Sequence, residues 1–197
     1  MVLPEGSVVF VGGQTPRGVY LLCEGRAKVC TTSEGGKTFI LEIVSPGAVL
    51  GLDAVVTDKA YEVTVETMQP CLLNFVSRED FIPFLKKHSD ACLQAVQHLS
   101  REYNLACKVV RSVGLTHSIP ERLAKFLWEL SAKALVVDGV VRIKVALTHE
   151  EISQLIGTSR ETITRTLSEF RKQEIVELKG STLIVHDKPA LERLAMA

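Results

Sequence analysis

The segment "GTSRETITRTLSEFRKQ", residues 157–173, places two kinds of side chain on one helical period. At about 100° per residue, Ile163, Leu167 and Phe170 fall at i, i+4 and i+7 and form an apolar stripe. Arg160, Glu161, Thr164, Arg165 and Ser168 fall on the roughly opposite face. The stripe needs a core to bury against, and the polar face is then held out to water or to a partner. Ser159 stands where a hydroxyl caps a helix. Gly157 stands at a corner that calls for positive φ. Upstream, Thr148 and Glu151 have capping-box spacing and open a shorter helix with Ile152, Leu155 and Ile156 inward.

A short helix, a glycine-containing turn and a second helix with a polar face make a helix-turn-helix. Downstream, "EIVELKGSTLIVHD" reads as two strands joined at Lys179-Gly180, which turns the motif into a winged one. The exposed residue types suit one chemical task. Arg donates two hydrogen bonds to guanine O6 and N7 in the major groove, and a carboxylate accepts from cytosine N4. Hydroxyls and helix N-termini hold backbone phosphates, which brings in Thr148, Ser159, Thr162 and Thr164, with Lys179 on the wing. A lone Arg on such a face is ordinarily a solvated side chain. Arg160, Glu161 and Arg165 together, behind a capped helix and a glycine turn, point to double-stranded DNA.

Working outward, residues 1 to about 77 read as β. Turn signals ("PEG", "GG", "CEG", "SEGGK", "SPG") alternate with short β-rich runs, as in a sandwich, barrel or jelly roll. A short helix is expected around "REDFIPFLKKH". A long one follows from residue 89 to about 115, with Cys92, Val96, Leu99, Tyr103, Ala106, Val110 and Val113 spaced 4, 3, 4, 3, 4, 3. A helix packed only on its own domain shows a broader stripe. This narrow a/d seam favours self-association, with Val96, Leu99, Tyr103, Ala106 and Val110 as the interface. Ser118 and Glu121 repeat the capping box, with Pro120 tolerated in the first turn. Leu123, Phe126, Leu127 and Leu130 share one face of the helix they open. "VVDGVVRIKV" is expected as a hairpin turning at Asp138-Gly139.

Composition narrows the class without naming it. The chain has 197 residues, 46% of them hydrophobic, with 23 basic and 23 acidic side chains. No run of eighteen apolar residues is present, so no membrane helix is expected. "MVLPEGSVVFVGG" lacks the basic and apolar stretches of a secretory signal. Five cysteines, at 23, 30, 71, 92 and 107, show no C-x-x-C spacing, which fits a reducing cytoplasm. No Ser/His/Asp set, metal-spaced His cluster or phosphate loop is found, so an enzyme is not expected.

"LTHEEISQLIGTSRETITRTLSEFRKQEIVELKGSTLIV" resembles the winged helix-turn-helix of the cyclic-AMP receptor protein and fumarate–nitrate reduction regulator (CRP/FNR) family. "YLLCEGRAKVCTTSEGGKTFILEIVSPGAVLGLDAV" is similar to that family's N-terminal β-roll. The resemblance implies an α+β chain in three parts. They are a jelly-roll effector domain like those that bind cyclic nucleotides (1–88), a dimerisation helix (89–117) and a winged helix-turn-helix (118–197). It implies a homodimeric bacterial regulator that binds a two-fold symmetric operator and contacts RNA polymerase. The match to "SRETITR" makes Arg160, Glu161 and Arg165 the base-reading positions.

Two departures stand out. The family begins with a short helix before the roll, whereas this chain starts almost at the first strand. Members that bind cyclic AMP show Gly-Glu-Leu followed by Arg-Ser, the Glu meeting the ribose hydroxyl and the Arg the phosphate. Here "GLDAVVTDKAYEV" has Leu52 after Gly51, and Lys59-Ala60 in place of Arg-Ser. Cys107 and Lys108 stand near the helix position that contacts adenine. Gly51, Leu52, Lys59, Ala60 and Cys107 therefore mark the expected effector pocket. No cofactor is expected, cyclic AMP included. A cyclic-nucleotide receptor with an altered cassette remains the alternative, as does a haem- or redox-responsive member working through His98 or through Cys23, Cys30 or Cys107.

Overall fold

A computed structural model describes the chain apart from residues 115–117, 132–133, 135, 138–139 and 197. The expected Asp138-Gly139 turn and the last residue of the long helix lie outside the described residues. Two compact units are present, Met1–Val109 and Val110–Ala197.

The first unit is a β-roll of two four-stranded antiparallel sheets. Its strands are β1 (Val2–Leu3), β2 (Val8–Phe10), β3 (Gly18–Glu24), β4 (Ala27–Thr32), β5 (Thr38–Val44), β6 (Val49–Leu50), β7 (Thr64–Thr67) and β8 (Cys71–Ser77). One sheet runs β1-β8-β3-β6 and the other β2-β7-β4-β5. Phe10, Leu22, Ala27, Val44, Leu50, Val65 and Leu73 meet in one core. A helix that the sequence reading did not anticipate, α1 (Leu52–Thr57), interrupts the β region. It is six residues long, too short to show helical periodicity, and Leu52 and Val55 turn inward one turn apart.

The roll is closed by α2 (Arg78–Lys87), capped by Ser77, and by α3 (Ser89–Gly114). Leu52, Val55 and Val19 form a second core against which Phe81, Ile82, Ala95 and Leu99 pack. This packing is why α3 up to Val109 belongs with the roll and is not a separate body from residue 89 on. A polar latch adds to it. His98 Nε2 lies 2.9 Å from the Val49 carbonyl and 3.3 Å from Glu102 Oε1. Both neighbours are acceptors, so Nε2 carries the proton.

In the second unit, α4 (Ile119–Ser131) begins at the expected capping box. Ser118 N–H donates to Glu121 Oε2 at 2.9 Å, and Glu121 N–H to Ser118 Oγ at 3.4 Å. Strands β9 (Val136–Val137) and β10 (Val140–Lys144) follow, then α5 (His149–Ile156), α6 (Arg160–Lys172), β11 (Val176–Lys179), β12 (Thr182–Val185) and α7 (Lys188–Met196). The four strands form one sheet, β11-β12-β10-β9. Helix α7 was not anticipated. The Ala190 N–H donates to Asp187 Oδ1 at 2.8 Å, and Leu191 and Ala195 are buried in the unit's core. Asp187 just ahead of the helix and Pro189 in its first turn were the signal available for it.

The latch has a pH dependence of definite sign. The hydrogen bond to Glu102 holds the His98 pKa above 6.5 despite partial burial. Burial and the nearby Glu102 likewise raise Glu42, which His98 partly offsets. A raised folded-state pKa gives stability that is complete below the unfolded value and lost as pH rises through the folded one. The stability difference between wild type and His98→Gln should therefore be largest below about pH 6.5 and shrink above it. Urea unfolding from roughly pH 5.5 to 8.5 measures this; a difference that grows with pH would contradict the assignment.

Candidate nucleic-acid interface

Helix α6 is held from behind. Ile163, Leu167 and Phe170 are buried in the core that also contains Leu123, Leu127, Ile152 and Ile156. Ahead of it, Thr148 caps α5: its hydroxyl accepts from the Glu151 N–H at 3.1 Å and donates to Glu151 Oε2 at 2.9 Å. The Thr148 N–H also reaches Glu151 Oε2, at 2.7 Å. Gly157 ends α5 at φ 75°, and Ser159 Oγ accepts from the Thr162 N–H at 3.2 Å to start α6. Both caps and the corner agree with the sequence reading.

The front of α6 presents Arg160, Glu161, Thr164, Arg165, Ser168, Glu169 and Lys172 around an open groove. Arg160, Glu161, Thr164 and Arg165 are all exposed. The Glu161 carboxylate is held below the ordinary value of 4.5 by its own backbone N–H, by the Ser159 hydroxyl and by Arg160. It is therefore ionised at neutral pH, the form that accepts from cytosine N4.

Other expected DNA contacts take different places. The Thr148 hydroxyl gives its one proton to Glu151, so it has none to offer a phosphate. Ser159 and Thr162 lie 3.0 Å apart, hydroxyl to hydroxyl, and are occupied by the cap. Thr162 is half-buried and does not line the groove. At these positions backbone amides of the helix N-termini are the donors that phosphate would meet. Lys179 is exposed on the wing, with Nζ 3.1 Å from Glu177 Oε2.

His149 is a member of the site that sequence reading passed over. Its Nδ1 is 3.0 Å from Thr164 Oγ1, and Thr164 donates its hydroxyl proton to the Arg160 carbonyl at 3.0 Å. Thr164 must then accept from His149, which sets the tautomer with hydrogen on Nδ1. The bond ties the first residue of α5 to the reading face of α6 across fifteen positions. No local pattern announces such a pairing.

The five residues expected to form an effector pocket have different environments. Leu52 is buried in the core with Val19 and Val55. Lys59 and Ala60 are exposed. Gly51 has φ 77°, and a Cβ there would come within 2.6 Å of the Tyr61 ring. Tyr61 stacks on Phe10 at 3.9 Å and donates to the Gly18 carbonyl at 2.8 Å. Cys107 is half-buried on α3. None of the five lines the cavity between the roll and α3. His98, weighed as a haem ligand, is committed to Val49 and Glu102. Burial raises the Cys30 thiol, which opposes thiolate chemistry there.

A capped helix-turn-helix with its back sealed and its front lined by Arg, Glu and Arg defines a winged-helix DNA-binding regulator. Comparison with known proteins makes this more specific. Residues 1–88 match the model of the cyclic nucleotide-binding domain, and residues 121–194 that of the Crp-like helix-turn-helix domain. The chain belongs to the CRP/FNR family of transcription regulators. It is 28% identical over 195 residues to the global nitrogen regulator of Synechocystis, covering 96% of this chain and 85% of that one. It is 24% identical over 193 residues to a CRP-like cAMP-activated global transcriptional regulator of Mycobacterium tuberculosis, covering 98% and 86%. The fold is also similar to that of a CooA mutant from Carboxydothermus hydrogenoformans, with a TM-score of 0.83 at 20% identity, covering 99% of this chain and 86% of that one.

A bidentate Arg–guanine pair is worth about 1–3 kcal/mol of discrimination. Arg165→Ala should weaken binding to a selected operator by about ten- to a hundredfold and relax one base position. Thr164→Val removes the hydroxyl that orients His149 and should cost less, about two- to tenfold. Fluorescence anisotropy on one labelled duplex compares the two; wild-type affinity in Arg165→Ala would remove that residue from the reading set.

Proposed function

We propose that the chain acts as a homodimer in the bacterial cytoplasm, binding a pseudo-palindromic operator with TGTGA-like half-sites and contacting RNA polymerase. In this reading Arg160, Glu161 and Arg165 read bases, backbone amides at the N-termini of α5 and α6 hold phosphates, and Lys179 approaches the backbone from the wing. It is a binding function, with no catalytic step. The observation that carries it is the division of α6 into a buried apolar back and an exposed Arg-Glu-Arg front.

Dimerisation through α3 is supported by the side chains left in water. Val96, Tyr103 and Val110 are 56%, 70% and 69% exposed, and Ala106 is also exposed. They recur at the 4-3 spacing of a coiled-coil seam. Leu99, the middle of that seam, is half-buried against its own roll, so a charge there would disturb two surfaces at once. Val96 is the cleaner probe.

The regulatory signal is read as reaching the roll, and cyclic AMP is read as not being that signal. The mycobacterial relative is cAMP-activated by name. Here, however, Leu52 cannot accept from a ribose hydroxyl, and Lys59 and Ala60 face solvent. A buried polar group left without its partner costs about 1–3 kcal/mol, and a cyclic phosphate lacks the two fixed donors of an Arg.

Selection from a random DNA pool should return inverted repeats with half-site centres about one helical turn apart. Val96→Glu should be monomeric by light scattering and bind the selected site far more weakly, because it places like charges in an apolar seam. A dimeric Val96→Glu protein would move the interface elsewhere. By calorimetry, cyclic AMP and cyclic GMP should bind no tighter than about 1 mM; micromolar binding would restore the altered-cassette reading.

A further inference from the structure

A cavity of about 380 Å³ lies between the roll and α3, wholly within the first unit. That volume is in the range of small-molecule sites, roughly 300–1,000 Å³. Its walls are largely apolar, with Leu41 and Leu50 on the roll side and Leu99 and Leu105 on α3. Its charged lining is one-sided. Among the described residues, Glu42 comes from β5, Asp53 from α1 and Glu102 from α3, against the single imidazole of His98, and neither Lys nor Arg lines it.

The carboxylates differ in what they touch. Glu102 lies 3.3 Å from His98. Glu42 makes no hydrogen bond or ion pair among the described residues, and burial together with Glu102 makes it harder to ionise. A partly buried carboxylate without a partner is a cost that a cationic ligand would offset. A phosphate or carboxylate ligand would add like charge to three acids in a weakly screened space. Steric fit alone would admit either kind of ligand; charge separates them.

We propose that this cavity binds an organic cation, an ammonium or amidinium group carried on an apolar body. The head lies against Glu42 and Glu102, and the body lies along the leucine walls. The inference rests on the reading that the signal reaches the roll and is not a cyclic nucleotide. Leu99, Tyr103 and Ala106 belong both to the cavity lining and to the α3 seam, so an occupant touches the residues offered for dimerisation.

Two probes with one body and opposite charge test the proposal: tryptamine and indole-3-propionate, each titrated to about 10 mM against the full chain by calorimetry and thermal unfolding. Tryptamine should bind and raise the unfolding temperature, and indole-3-propionate should not. Glu42→Gln, which removes a partly buried charge, should unfold without ligand at or above the wild-type temperature and lose about tenfold or more in tryptamine affinity. Equal or tighter binding of indole-3-propionate, undiminished tryptamine affinity in Glu42→Gln, or no binding of either probe would overturn the inference. Cyclic AMP is run as a third arm. Its binding at micromolar concentration would overturn the underlying reading, whereas its silence alongside silent tryptamine would remove the cation inference alone.

Discussion

Burial of Ile163, with Leu167 and Phe170 beside it, is the constraint on which the second unit depends. Each such side chain gains about 1.5–3 kcal/mol on leaving water, so α6 has one rotational setting about its axis. Arg160, Glu161 and Arg165 then face outward because burial of the opposite stripe turns their side of the helix away from the core. The cap at Ser159 and the left-handed corner at Gly157 set where the helix starts. Rotation is decided by apolar area, and translation by hydrogen bonds. A reading head needs both, because base edges are met at hydrogen-bonding distance.

Helix α3 answers a different demand. One side carries Ala95 and Leu99 onto the roll and His98 onto the Val49 carbonyl. The other leaves Val96, Tyr103 and Val110 in water. Two apolar faces on one helix are wasteful in a monomer and useful where the helix is shared by a roll and a second copy of the chain. The cavity lies against the same helix, so one element carries the candidate effector lining and the candidate dimer seam together.

The roll keeps its fold with an apolar side chain at the position after Gly51. The resemblance implies a Glu after this glycine in members that bind cyclic AMP; here it is Leu52, fully committed to a core with Val19 and Val55. Gly51 keeps its positive φ and its close approach to Tyr61, which packs on Phe10. The backbone turn at Gly51 packs against Tyr61, and the side chain that follows it belongs to the core. The charged groups that line the cavity come from β5 and α3 as well as from α1.

The helix-turn-helix, the capping boxes of α4 and α5, the long helix α3 and the wing were legible in the sequence because each rests on residues within a turn or two of one another. Helix α1 was not legible, since six residues show no period, and α7 was passed over although Asp187 and Pro189 announce its start. The Arg160, Glu161 and Arg165 face could be read directly, because a helix of known period places its own side chains. Contacts between distant segments could not. The bond from His149 to Thr164 and the closeness of Glu42 to Glu102 each join residues whose sequence separation carries no pattern. The sequence by itself determined the order of parts and which face of α6 stays exposed, through periodicity and capping, which are local. Only the tertiary structure decided that Leu52 is core and that the cavity is acidic, because burial and electrostatic environment arise when distant segments meet.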